Sequence, residues 1–219
     1  TEIISADSRQ LFRDLSIGTA RPTPEELAAV PHHFIATLDL DEYYSAAQYE
    51  EDVLLLLPDI FSRCGGNAVM CGGSMMYVDA VCDGIDLLPT VSDESRTRAY
   101  ALYEAGGLPA VILELERLDP VYLRQAPDLK NHKRLVHALE ISLEAGRPYS
   151  SMLTGEKKSR PFGILKFAID HPREELFSRI NRRVEVMMSQ GLLEEVRRVY
   201  PHRELNSLNT VGYKELFAY

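Results

Sequence analysis

Short apolar segments alternate with predicted helices along this chain, and this alternation constrains the fold more than any other feature of the sequence. The apolar segments are residues 2–6, 32–38, 67–71 and 163–169. Strands that alternate with helices at such spacing are typical of a parallel sheet covered by helices. The sequence therefore predicts an α/β domain whose ligands bind beyond the carboxyl ends of its strands.

The sequence changes character between the third and the fourth apolar segment. From Asp86 to about Gly146, strand signals disappear and charged helical segments replace them. The predicted helices of this stretch cover residues 93–105, 108–118 and 131–145. We interpret residues 86–159 as an all-helical insertion within an α/β core that is formed by residues 1–85 and 160–219.

Several helix ends can be predicted from single residues. Ser45 is suited to cap a helix that runs to about Cys64, where two glycines follow. Pro58 within that helix predicts a kink or a division, because proline cannot donate a backbone hydrogen bond. Pro172 is suited to the first turn of a later helix, and Gly191 marks its end or a break.

Composition excludes some classes of protein. The chain has 219 residues, of which 45% are hydrophobic and 26% charged, as in ordinary globular proteins. It has no apolar run of about 18 residues and no signal-peptide pattern, so neither a membrane span nor secretion is predicted. Cys64, Cys71 and Cys82 are odd in number and show no CxxC spacing, which favours a reducing, cytoplasmic setting.

The charge pattern leaves room for a local anion site. A net charge of −9 argues against indiscriminate nucleic-acid binding, yet basic residues cluster at 130–134, 157–160 and 179–183. Each cluster alone is more often a solvated face. Arg179 and Arg183 are four residues apart on one helical face, where they could clamp a phosphate or pyrophosphate. Alternatively, Arg183 pairs with Glu185 or Glu195.

Polar residues follow three of the predicted strands. They are residues 7–10, 72–74 and 170–171. Gly72 and Gly73 would let a substrate come close, and the helix that follows them favours an anion or acceptor at its start. Alternatively, Asp7 only caps a turn and the two glycines form a plain strand-to-helix connection.

Histidine and tyrosine pairs give weaker signals. No Cys, Asp or Glu at ligand spacing supports His32-His33 as a metal site, and no metal-ligating residue is predicted. Tyr43-Tyr44 could stack on nucleic-acid bases, but burial in the core is the stronger expectation.

Taken together, these segments resemble one family, the bacterial tRNA dimethylallyltransferases (isopentenyl-tRNA transferases). The matching motifs occur in the family's order over essentially the whole chain. They are 4–12 (ISADSRQLF), 17–22 (IGTARP), 30–33 (VPHH), 44–47 (YSAA), 72–77 (GGSMMY), 133–140 (KRLVHALE), 179–184 (RINRRV) and 209–215 (NTVGYKE).

The resemblance implies a P-loop-like parallel-sheet core with a helical insertion that grips the anticodon stem-loop of tRNA. The expected activity is transfer of a dimethylallyl group from dimethylallyl diphosphate to N6 of the adenosine 3′ of the anticodon. By this resemblance Asp7 is the general base, and Arg183 neutralises the departing diphosphate. The expected substrate-binding residues are Ser8, Gln10, Thr19, Arg21, Gly72, Gly73, Ser74 and Arg179. Mg²⁺ is the expected cofactor, and a cytoplasmic monomer is the expected form.

The sequence departs from the family pattern in several places. The family's phosphate loop, GxxxxGK(S/T), is expected immediately before Thr1, and the sequence contains no such motif. Further basic helical sequence is expected beyond Tyr219. Arg21, Phe12 and Ser74 replace the usual Lys, Tyr and Thr. Three alternatives stay open: an adenylate prenyltransferase, a P-loop small-molecule kinase, and a tRNA-binding module without activity.

Overall fold

The computed structural model describes residues 1–126 and 128–219. The chain divides into two compact units. The first unit contains Thr1–Ile85 and Lys158–Tyr219, and the second contains Asp86–Lys157. The predicted insertion, 86–159, has the same start and a slightly later end.

The first unit contains a parallel sheet, as the sequence predicts. Its strands are β1 (Ile3–Ser5), β2 (His32–His33) and β3 (Val69–Cys71), in the order β2-β1-β3. Both pairings are parallel, with Ile3 opposite both His32 and Val69. Because β1 is central, the residues after it lie between the ends of two neighbouring strands.

Two strand predictions need correction. The segment 32–38 is a strand only at its first two residues, because Phe34 and Ala36 have φ values of 64° and 52°, outside the β region. The described segment 163–169 forms no strand, and its Leu165, Phe167 and Ile169 are 84%, 88% and 90% exposed. A strand needs a neighbour to accept its backbone hydrogen bonds, and no described strand pairs with this alternating segment.

Helices make up most of the described chain. They are α1 (Pro24–Ala29), α2 (Ala46–Arg63), α3 (Met75–Asp83), α4 (Asp93–Leu118), α5 (Pro120–Gln125), α6 (His132–Ala145), α7 (Arg173–Ser189), α8 (Leu192–Val199) and α9 (Tyr213–Phe217). Short 3₁₀ turns lie at Tyr149–Met152, Tyr200–His202 and Asn206–Leu208. Every helix in the described residues is too short or too polar to cross a bilayer.

The predicted helix ends are largely confirmed. Ser45 caps α2 in a reciprocal pair of hydrogen bonds with Gln48. Of the kink or division predicted at Pro58, the division does not occur, since α2 continues through this residue. Leu57 and Ile60 are buried beside it, and their packing offsets the lost backbone hydrogen bond. Gly107, with φ 65° and ψ −159°, breaks α4 where the sequence predicts two helices.

The first unit has two hydrophobic clusters. Around the sheet, Ile4 packs with side chains of α2 and α3, and Tyr49 stacks on Tyr77 with ring centroids 4.2 Å apart. In the second cluster, Leu15 of the loop after β1 packs with Val196 and other residues of the C-terminal segment. The loop after β1 contributes to both clusters, through Leu11 and Phe12. Burial of these side chains therefore fixes the polar residues that precede them.

The second unit has its own core, in which α4 packs on α6. Its buried side chains are Ala99, Val111, Leu115, Leu135, Val136, Ala138 and Leu139. Asp119 is fully buried, and Ser150 donates to its carboxylate from both the backbone N–H and the hydroxyl, each at 2.6 Å. These hydrogen bonds tie the start of α5 to the turn after α6.

Candidate active site

Asp7 follows the carboxyl end of β1, where its side chain organises the next turn. Its Oδ1 accepts hydrogen bonds from the backbone N–H groups of Arg9, at 2.9 Å, and Gln10, at 3.4 Å. The turn-capping alternative is therefore correct for one oxygen of the carboxylate. The described hydrogen bonds leave Oδ2 uncommitted.

The predicted residues Ser8 and Ser74 lie next to each other. The Ser8 backbone N–H donates to Ser74 Oγ at 2.9 Å, and the two hydroxyl oxygens are 3.0 Å apart. The Ser74 backbone N–H also donates to the Ala6 carbonyl at 3.0 Å. These contacts join the ends of β1 and β3, so that Asp7 and the GGS segment share one edge of the sheet.

The two glycines of that segment have different surroundings. A Cβ atom added to Gly72 would lie 2.3 Å from the carbonyl carbon and oxygen of Ala6, whereas nothing lies within 4 Å of one added to Gly73. Gly72 therefore permits the close approach of β3 to β1. Gly73 faces open space.

Gln10 and Thr19 shape the loop that follows, through contacts within the protein. The amide of Gln10 accepts from Ser5 Oγ at 3.0 Å and donates to the carbonyls of Thr19 and Ala20, both at 3.2 Å. The Thr19 hydroxyl donates inward to the carbonyls of Leu15 and Ser16. These two predicted residues thus act on the loop's conformation, and their polar groups already have protein partners.

The predicted arginines meet in a cleft of the first unit with a volume of about 940 Å³. Arg21, Arg179 and Arg183 line it, together with Arg182 and His32, which are not among the predicted site residues. No Asp or Glu is among the described lining residues. The lining is therefore cationic, although the chain as a whole is acidic.

Contacts with other protein groups orient two of these arginines. Arg21 donates to the carbonyl of Arg13 at 3.1 Å. Arg179 lies 3.2 Å from Nε2 of His171, one of the polar residues that follow the segment 163–169, and 3.7 Å from the Glu175 carboxylate. The cleft lining does not include Asp7, so the described candidate residues form two groups that the 16–21 loop connects.

Arg9 and Tyr77 lie near Asp7 and within two of the matching motifs, but they are not among the predicted site residues. The Arg9 guanidinium donates to the carbonyls of Asn206, at 3.0 Å, and Ser207, at 3.1 Å, which ties the β1 loop to the 3₁₀ turn before the C-terminal motif. Burial lowers the pKa of Arg9. Burial also raises the pKa of Tyr77 to about 12, against the opposing charge of Arg9, so that Tyr77 is a neutral phenol beside Asp7. Neither role has a sequence signal, because each depends on long-range contacts.

The described residues do not build a metal site. They contain no group of three or more His, Cys, Asp or Glu side chains that could hold an ion. Nε2 of His33 contacts Glu2 at 2.7 Å, and Nδ1 of His32 contacts the Val30 carbonyl at 2.8 Å. Tyr44 packs against Tyr77 as expected, whereas Tyr43 is exposed, contrary to the expectation of burial.

The sequence and the fold are similar to those of known proteins. The family model for IPP transferases matches residues 10–219. The chain is 57% identical to tRNA dimethylallyltransferase 1 of Phocaeicola vulgatus and 56% identical to that of Bacteroides fragilis. Each comparison spans 219 residues, which is 100% of this chain and 72% of the relative.

Solved structures show the same similarity. The full-length tRNA isopentenylpyrophosphate transferase of Bacillus halodurans matches with a TM-score of 0.64 and 32% identity, over 100% of this chain and 68% of that one. A eukaryotic dimethylallyltransferase acting on tRNA matches with a TM-score of 0.79 over 99% of this chain and 56% of that one. At 22% identity, the second match supports the fold alone.

Proposed function

Since this chain belongs to the IPP transferase family, we propose that it transfers a dimethylallyl group from dimethylallyl diphosphate to N6 of the adenosine 3′ of the anticodon in tRNA. The chain is an enzyme of the tRNA prenyltransferase class. The assignment of this reaction rests on Oδ2 of Asp7, which the described hydrogen bonds leave uncommitted at the edge of the sheet. An arginine-lined cleft lies in the same unit. We also propose that it acts as a monomer in the cytoplasm, where its tRNA acceptor is made.

Asp7 is suited to act as the general base. Hydrogen bonds to Oδ1 fix the carboxylate and leave Oδ2 to accept a proton. In the proposed step, N6 of adenine attacks C1 of the dimethylallyl group, the bond from C1 to the diphosphate oxygen breaks, and its electron pair leaves with diphosphate. Asp7 takes the proton from N6 as positive charge develops on that nitrogen.

The neighbours of Asp7 support an adenine at this edge. The hydroxyls of Ser8 and Ser74 lie beside the carboxylate's turn, and Gly73 leaves open space next to them. In our proposal Ser8, Ser74 and the two glycines line the base site. Gln10 and Thr19 contribute through the loop that their hydrogen bonds hold.

The arginine-lined cleft is suited to bind the diphosphate. Arg21, Arg179 and Arg183 present planar guanidinium groups that can donate two hydrogen bonds at a time to phosphate oxygens. Cations around the leaving group stabilise its growing charge as the bond to carbon breaks. We therefore assign Arg183 to leaving-group stabilisation, and Arg21 and Arg179 to diphosphate binding.

We propose Mg²⁺ as a cofactor because of the chemistry of the diphosphate substrate. The described residues do not fit a magnesium site of their own. Magnesium in proteins commonly uses one or two carboxylates together with substrate phosphates, so the ion would arrive with the diphosphate. The steps proposed above use side chains of this chain alone.

The second unit supports tRNA as the acceptor. Around the start of α6 the exposed side chains of Lys130, Lys133 and Arg134 form a basic patch in an otherwise acidic protein. Such residues bind the phosphate backbone of nucleic acids. We propose that this unit binds the anticodon stem-loop, while the adenosine is flipped out of the loop to reach Asp7.

The proposal can be tested by a choice of acceptor. The purified protein is incubated with labelled dimethylallyl diphosphate, Mg²⁺ and either unmodified tRNA or AMP. We expect label on tRNA, at N6 of the adenosine 3′ of the anticodon. Label on AMP alone would indicate an adenylate prenyltransferase, and phosphoryl transfer from ATP to a small molecule would indicate a kinase. Binding of tRNA without transfer would leave only a tRNA-binding module.

A further inference from the structure

A buried carboxylate outside the proposed site contacts the loop that connects its two parts. Glu195 lies on α8 and is only 4% exposed. Its Oε2 accepts from the backbone N–H groups of Ser16, at 3.0 Å, and Ile17, at 2.9 Å. Its Oε1 accepts from the backbone N–H of Gly18 at 3.0 Å. A buried charge is stable only when it is well hydrogen-bonded, and here three consecutive peptide groups supply the donors.

Tyr213 completes this arrangement from the C-terminal motif. Its hydroxyl donates to Glu195 Oε1 at 2.5 Å, and the whole side chain is buried. Burial raises the pKa of Tyr213, so that the phenol stays protonated as a donor. A Cβ atom added to Gly18 would lie 2.5 Å from the Tyr213 ring, so the ring can pack here only against glycine.

The loop of residues 16–21, which Glu195 holds, contacts both groups of candidate site residues. The carbonyls of Thr19 and Ala20 accept from Gln10, which follows the turn capped by Asp7. Ala20 and Arg21 line the arginine cleft, whereas Glu195 and Tyr213 are not among its described lining residues. A shift of residues 16–18 would therefore move Arg21 and the partners of Gln10 together.

We propose that Glu195 is a positioning residue for prenyl transfer, whose carboxylate fixes the 16–21 loop so that the acceptor and diphosphate sites keep their relative geometry. This inference rests on the proposed function, because it concerns the rate of that reaction. Tyr213 assists by orienting the carboxylate. Small displacements of reacting groups reduce rates steeply, by up to about 100-fold for a shift near 1 Å.

The test compares variants at the level of the chemical step. Glu195→Gln keeps the size of the side chain but replaces an acceptor oxygen by an NH₂ group that faces N–H donors. Tyr213→Phe removes one hydrogen bond and keeps the carboxylate. Glu194→Gln is the control, because Glu194 is an exposed neighbour on the same helix. Single-turnover transfer to tRNA and tRNA affinity are measured for each, and rates are expressed per folded molecule by near-ultraviolet circular dichroism.

We expect Glu195→Gln to transfer about 10- to 100-fold more slowly than the unsubstituted protein and Tyr213→Phe to be intermediate, both with unchanged tRNA affinity. The control should transfer at the original rate. Rates per folded molecule equal to that of the unsubstituted protein in both variants would overturn the inference and leave Glu195 a stabilising residue only. Absence of transfer by the unsubstituted protein would instead refute the proposed function.

Discussion

The hydroxyl oxygens of Ser8 and Ser74 lie 3.0 Å apart, although 66 positions separate the two residues in the sequence. The contact depends on the parallel register of β1 and β3, in which Ser5 lies opposite Cys71. A slip of that register would separate Asp7 from the GGS segment. The proposed acceptor site is thus a consequence of how two short strands pair.

The close approach of β3 to β1 predicts different effects for two adjacent glycines. Gly72→Ala would place a Cβ atom 2.3 Å from the Ala6 backbone, so we expect the two strands to move apart. The free energy of unfolding should fall by about 1–3 kcal/mol. Gly73→Ala meets nothing within 4 Å, and its stability should be almost unchanged. Urea unfolding of both variants checks this, and equal loss of stability in the two would contradict the assigned geometry.

The buried ion pairs of Glu50 are expected to stabilise the fold where the chain enters and leaves the insertion. Its buried carboxylate contacts Arg160 Nη2 at 2.7 Å and Lys158 Nζ at 3.1 Å, and accepts from the Ile85 backbone N–H at 3.1 Å. Glu50→Gln leaves the buried Arg160 without its counter-charge, which typically costs about 3–5 kcal/mol. Thermal unfolding should show the loss, whereas Glu51→Gln, an exposed neighbour, should unfold like the original protein.

The stabilising contribution of Glu2 is expected to disappear in acid. Hydrogen bonds from Arg63 and then His33 lower the pKa of Glu2 from 4.5 to about 2. The ionised form is therefore favoured by folding, so its contribution is present above about pH 4.5 and disappears as the pH falls towards 2. The difference in urea midpoint between the original protein and Glu2→Gln should shrink over this range. A difference in urea midpoint that does not change with pH would contradict the lowered pKa of Glu2. Glu185→Gln, at an exposed position, serves as the control.

Arg183 is predicted to act on the leaving group. Arg183→Ala should reduce the rate of transfer by roughly 100- to 1000-fold, because it removes a donor from the growing charge of diphosphate. Arg173→Ala, at the start of the same helix and away from the described cleft lining, should transfer normally. Equal rates in the two variants would contradict the role of Arg183 in leaving-group stabilisation.

The sequence predicts the sheet and the Asp7 edge because their signals are local. Apolar runs followed by polar residues or glycine indicate strand ends without any tertiary information. The alternation of Leu165, Phe167 and Ile169 indicates a strand equally well, yet a strand also needs a neighbour, which a pattern cannot supply. The hydrogen bond from the Gly18 backbone N–H to Glu195 joins residues 177 positions apart, and no spacing or motif predicts it.

The central claim, that Asp7 is the base for prenyl transfer to tRNA, is tested most directly by single-turnover kinetics of Asp7→Asn. Asparagine keeps an Oδ1 that can accept from Arg9 and Gln10, so the turn should persist while the base is lost. We predict that transfer slows by about 100- to 10,000-fold with tRNA affinity unchanged. Transfer at the original rate would contradict the assignment, and so would a slower rate explained wholly by weaker tRNA binding.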